Sequence, residues 1–118
     1  MSQKLKKELE ALTGAFPEEA PKDATYPYKV FFARRISESD GRQQYILEIN
    51  IWDQHHYYSR AESIMDELEA KLHRCNHMTD DYLIRIFKGQ RENVPDPDKS
   101  IKRVREQFEM HVYQREEN

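Results

Sequence analysis

Apolar residues recur along this chain with two different periods, and each change of period marks an element boundary. Leu5, Leu9 and Leu12 fall at i, i+4 and i+7 between lysines and glutamates, which predicts a short one-faced helix ending near Thr13-Gly14. From Ala15 to Tyr26, Pro17, Pro21 and the acidic pair Glu18-Glu19 read as a connecting loop, closed by Pro27. Tyr28 to Ile36 is aromatic and β-branched and fits a strand with Tyr28, Val30, Phe32 and Ile36 on one face. Asp40-Gly41 is a hairpin signal. The returning segment, Arg42 to Asp53, puts Tyr45, Leu47, Ile49 and Ile51 on one face and Gln44, Glu48 and Asn50 on the other, the clearest strand pattern in the chain.

Ser59-Arg60-Ala61-Glu62 matches a capping box, in which a hydroxyl and a carboxylate satisfy free N–H groups at a helix start. Ala61, Ile64, Met65, Leu68 and Leu72 follow at helical spacing, so an amphipathic helix is expected from Ser59 to about His73. Tyr82 to Lys88 reads as a third strand and Ile101 to Tyr113 as a fourth, with Val104, Phe108, Met110 and Val112 inward. Glu106 breaks that inward row, which predicts a bulge or an end of pairing there. The order is α-β-β-α-β-β. It predicts a single α+β domain over residues 1–118, with a helix over 1–14, a linker loop over 15–26, and a four-stranded, largely antiparallel sheet carrying the main helix on one face.

Composition changes this picture in one respect. Only 37% of residues are apolar while 35% are charged, so a lone copy has limited material to offset chain entropy, and association with further copies would help. The net charge of -3 argues against a dedicated duplex-DNA binder. A single cysteine, Cys75, forms no intramolecular disulfide, and no apolar run approaches the ~20 residues of a membrane span. MSQKLKKELEAL lacks the apolar stretch of a signal peptide, so synthesis in a reducing cytoplasm is expected.

Candidate chemistry is sparse. His73, Cys75 and His77 form H-x-C-x-H, a soft ligand set for zinc, yet the gaps are shorter than usual and only one thiolate is available. The competing reading is a helix C-terminus with His73 and Arg74 against the negative end of the dipole. With 3 glycines there is no phosphate-binding loop, and there is no G-x-S-x-G. No catalytic, cofactor or metal residue is assigned, and an enzyme is not expected. Asp80-Asp81, Asp96 and Asp98 lack calcium-loop spacing and read as turn chemistry. Arg34-Arg35 with Phe31, Phe32 and Trp52 imitates an incomplete single-strand nucleic-acid platform, so a small nucleic-acid-binding or protein-binding adaptor is kept as the alternative function.

Phe31, Ala33, Ile46, Trp52, Leu83 and Phe87 interrupt the second face of the sheet, so that face is expected to meet the first helix or another protomer. The stretch NVPDPDKSIKRVREQFEMHVY adds a second surface. Val94 and Asp96 each precede a proline, which makes Val94 to Asp98 a stiff extended loop ahead of a strand dense in charge. A short N-terminal helix, a Tyr26-Pro27-led strand, the hairpin into YILEINIWDQ, the helix from Ser59 and this Pro-Asp loop entering a last strand occur in an order that resembles the tail terminator, or tail-completion, proteins of long-tailed bacteriophages and prophages. The resemblance runs from Tyr26 onward. It implies a non-enzymatic protein of the virion tail that forms a hexameric ring, caps the tail tube protein and presents a surface to the head connector, with no membrane and no sequence-specific nucleic acid as partner. Contact residues expected on physical grounds are Pro95, Asp96, Pro97, Asp98, Lys99, Arg103 and Arg105, with Trp52 and Phe31 on the sheet.

Overall fold

A computed structural model describes residues 1–115. Its elements are α1 (Gln3–Thr13), β1 (Phe16–Pro17), β2 (Tyr28–Ser39), β3 (Arg42–Gln54), α2 (Ser59–Leu72), β4 (Cys75–Met78), β5 (Tyr82–Val94) and β6 (Ile101–Gln114). The strands form one sheet in the order β1-β2-β3-β6-β5-β4. This corrects the expected four-stranded, largely antiparallel sheet: six strands pair, and β1 runs parallel to β2, which makes the sheet mixed. Both added strands lie at edges. β1 contains a proline and only two residues, and β4 is CNHM, whose composition carries no alternating apolar pattern.

The helix starts separate two capping chemistries. At α1, Ser2 Oγ accepts from the backbone N–H of Leu5 at 3.1 Å, and Gly14 closes the helix in the left-handed region at φ 67°. At α2 the expected capping box does not form. Tyr58 is the N-cap residue and makes no side-chain cap bond, Ser59 already lies inside the helix, and the Glu62 carboxylate accepts from Asn93 Nδ2 instead.

Both helices pack on the same face of the sheet. Leu5, Leu9 and Leu12 of α1 and Ala61, Met65, Leu68 and Leu72 of α2 join Leu47, Ile49, Ile51, Ile84, Ile86, Phe108 and Met110 in one buried cluster. β2 faces the opposite way from its expected phase. Phe31 pairs with Ile49, is 1% exposed and lies under the helices, whereas Phe32 points to the other face at 43% exposure. Two adjacent phenylalanines left either phase available, and the register with β3 decides between them. Ile36, the residue that supported the wrong phase, is the extra residue of a bulge between Arg35 and Ser37.

β6 runs straight through Glu106, which pairs with Ile49 on one side and Arg91 on the other. The irregularity expected at Glu106 lies on the neighbouring strand, between Phe87 and Gln90. Gly89 sits in that bulge, where an added Cβ would fall 2.0 Å from the carbonyl oxygen of Gln107. The strands are long, and the whole body measures 53 × 27 × 22 Å with a radius of gyration of 15.0 Å.

Candidate interaction surface

With both helices on one side, the second face of the sheet carries none of the chain's own helices. Tyr28, Val30 and Phe32 of β2, Ile46 and Trp52 of β3, Leu83 and Phe87 of β5, and Arg103, Arg105 and His111 of β6 project on this side, as the pairing register requires. Its polar members interlock. Arg103 Nε donates to Asn50 Oδ1 at 2.8 Å, and Asn50 Nδ2 donates to Glu48 Oε2 at 3.1 Å. Asn50 is 1% exposed, so these bonds offset the cost of burying its amide. The Arg103 guanidinium also lies over the Trp52 ring, 4.9 Å from its centroid. Arg105 bridges Glu48 and Glu92 across three strands.

The segment expected to be a plain linker is part of this surface. After β1, the Glu18 backbone N–H donates to the Phe31 carbonyl at 2.8 Å, and the chain then folds back over β2. Tyr26 and Tyr28 stack with centroids 5.3 Å apart. Between the segment and the sheet runs an open groove of about 530 Å³, lined by Glu18, Glu19, Lys22, Tyr28, Trp52 and Arg103 among others.

The Pro-Asp loop stands at the same end of the molecule. Pro95, Pro97, Asp98 and Lys99 are exposed and Asp96 is half-buried. The aspartates shape the loop: Asp96 Oδ1 accepts from the Asp98 N–H at 2.9 Å, and Asp98 Oδ1 accepts from both the N–H and the hydroxyl of Ser100. The Ser100 bonds hold the Asp98 carboxyl below the usual carboxylate range. Of the residues expected to make contacts, the structure therefore places Arg103, Arg105 and Trp52 on one open face, with Pro95, Asp96, Pro97, Asp98 and Lys99 beside its end. Phe31 is not among them; it belongs to the core, and Phe32 takes the outward position.

A second polar cluster was missed in the sequence. Arg91 reaches from β5 to Asp66 and Glu69 on α2 and donates through Nε to Glu106 at 2.7 Å. It ties α2 to the sheet. The only signal for it was a lone glutamate in an inward row. The H-x-C-x-H residues do not converge: His73 Nδ1 accepts from the Lys88 N–H, His77 pairs with Glu8 at 3.0 Å, and burial pushes the Cys75 thiol up. Among the described residues no group of three or more His, Cys, Asp or Glu side chains gathers as a metal site.

No protein-family model and no curated protein matches this chain. Its fold is similar to that of a chain in a solved structure described as "Virion of native gene transfer agent (GTA) particle", with a TM-score of 0.67 and 13% identity, over 89% of this chain and 84% of that one. At such identity the likeness is one of fold, and it extends over nearly the whole of both chains.

Proposed function

We propose that this chain is a structural protein of a phage-like virion, acting by assembly, and that its place is the tail: a ring of copies that closes the tail tube and presents a surface to the head connector. The observation that carries this reading is the fold shared with a chain of a gene transfer agent virion over 89% of the present chain. The sequence order that resembles tail terminators supports the finer assignment. The physical demands of the task agree with what the surface offers. A ring is closed by heterologous contacts, one patch meeting a different patch on the neighbour. Here an open sheet face and an exposed stiff loop beside one end of it are two such patches. The proposed partners are further copies of the chain, the tail tube protein and the head connector. No step of the task asks for catalysis or a cofactor.

The test is disruption of the gene in the phage or prophage that encodes it, followed by electron microscopy of the particles. Tails of uncontrolled length without heads are expected, with normal particles restored by the intact gene. Normal-length tails joined to heads in its absence would exclude the tail assignment.

A further inference from the structure

We propose that the groove between the 18–28 segment and the open sheet face receives the Pro95–Lys99 loop of a second copy of this chain. The inference deepens the assembly reading and rests on it, naming which patch meets which. Groove and loop match in shape-determining chemistry. Aromatic-lined grooves take proline-rich extended segments because such segments are already stiff and lose little entropy on docking. Tyr28 and Trp52 supply aromatic walls, and the loop supplies Pro95 and Pro97, each preceded by a residue biased to extended backbone.

The charges match as well. The groove carries Lys22 and Arg103 together with Glu18 and Glu19, while the loop carries Asp96 and Asp98 followed by Lys99. Arg103 spends its Nε on Asn50, and its two terminal nitrogens have no hydrogen-bond partner among the described residues. One oxygen of each loop aspartate is used in the turns, and the other has no partner among the described residues. A guanidinium held over an indole in the groove lining thus has N–H groups to offer carboxylates of the kind the loop presents. Because Val94 pairs with Arg103, loop and groove lie side by side on one copy, and each copy can give a loop while receiving another.

Trp52 is the only tryptophan, so its fluorescence reports on the groove without a label. The first arm of the test adds the peptide acetyl-NVPDPDKS-amide to the full chain. A saturable change in Trp52 emission is expected, weakened about tenfold when both aspartates of the peptide are asparagine or when the chain carries Arg103→Gln. The second arm follows self-association of the full chain by sedimentation equilibrium. Asp96→Asn with Asp98→Asn keeps the turn acceptors and removes the charge, so a loss there is not a loss of loop shape. That variant and Arg103→Gln should each associate at least about fivefold more weakly. Mixing the two restores one native groove against one native loop, and a mixed 1:1 complex is expected. Trp52 emission unmoved by the peptide, or both variants associating as the unaltered chain does, overturns the inference. Tails completed at normal yield by both variants would sink the loop-in-groove contact while leaving the virion reading standing; only the gene disruption above tests that reading.

Discussion

Glu106 is the residue whose surroundings depart furthest from what a carboxylate prefers. It is fully buried, one oxygen takes the Arg91 bond, and the other has no partner among the described residues. Burial, reinforced by Glu69 and opposed by Arg91, lifts its carboxyl from an ordinary 4.5 to about 7. The folded chain therefore holds this proton more tightly than the unfolded chain does. The stability it contributes is fully present below the unfolded value and is lost as pH rises through about 7. Glu106→Gln, which keeps the shape and an acceptor for Arg91, should remove that decline. Thermal unfolding across pH is the measurement: the variant is expected to match the parent near pH 4 and to exceed it by on the order of 1 kcal/mol near pH 8. A variant less stable at pH 8 would mean that the ionised carboxylate is the form Arg91 requires.

The elements show which local rules the fold obeys. Ser2 caps α1 and Ser59 does not cap α2, although the sequence around Ser59 is the better motif. Ser2→Ala is thus expected to cost about 1 kcal/mol in denaturant unfolding and Ser59→Ala less than about 0.5 kcal/mol. At the β5 bulge, Gly89→Ala would drive a methyl group into the Gln107 carbonyl, and a loss of roughly 2 kcal/mol or more is expected, with destabilisation mild enough to ignore as the contrary result. The elements that were legible in the sequence are those whose burial has one consistent period: α1, the core of β3, the apolar stripe of α2, and the inward row of β6. Edge strands β1 and β4 were not legible, because an edge strand needs only backbone partners and leaves no hydrophobic signature. The phase of β2 was hidden by the Phe31-Phe32 pair, and the bulge in β5 by a glycine that reads equally well as a turn. Of the candidate surface, the exposure of the loop and the position of Trp52 on the outer sheet face could be read directly. The part played by the 18–26 segment could not, since its contacts are set by how the chain returns over β2.

At the scale of the whole molecule, folding and assembly are expected to separate. Replacing Pro95 and Pro97 by Gly loosens an exposed loop that carries no core contact, so the unfolding free energy should change by only about 1 kcal/mol. Docking should suffer more, because each freed residue must be ordered again at ~1 kcal/mol or more. On the tail role proposed above, comparing Tm with the yield of normal-length tails joined to heads decides the matter: variants that unfold far more easily yet assemble whenever folded would make the loop internal packing. The long strands have one more consequence, for hydrodynamics. A compact chain of this length has a radius of gyration of roughly 13 Å, and this body, at 15.0 Å and 53 Å along its major axis, drags more solvent than its 14.3 kDa would suggest. A single copy will leave a gel-filtration column early, in the position of a heavier globular protein. By the same scaling a radius of 15.0 Å belongs to a compact chain roughly a third longer, so one free copy elutes between a monomer and a dimer, and copy number has to be read from scattering or sedimentation mass.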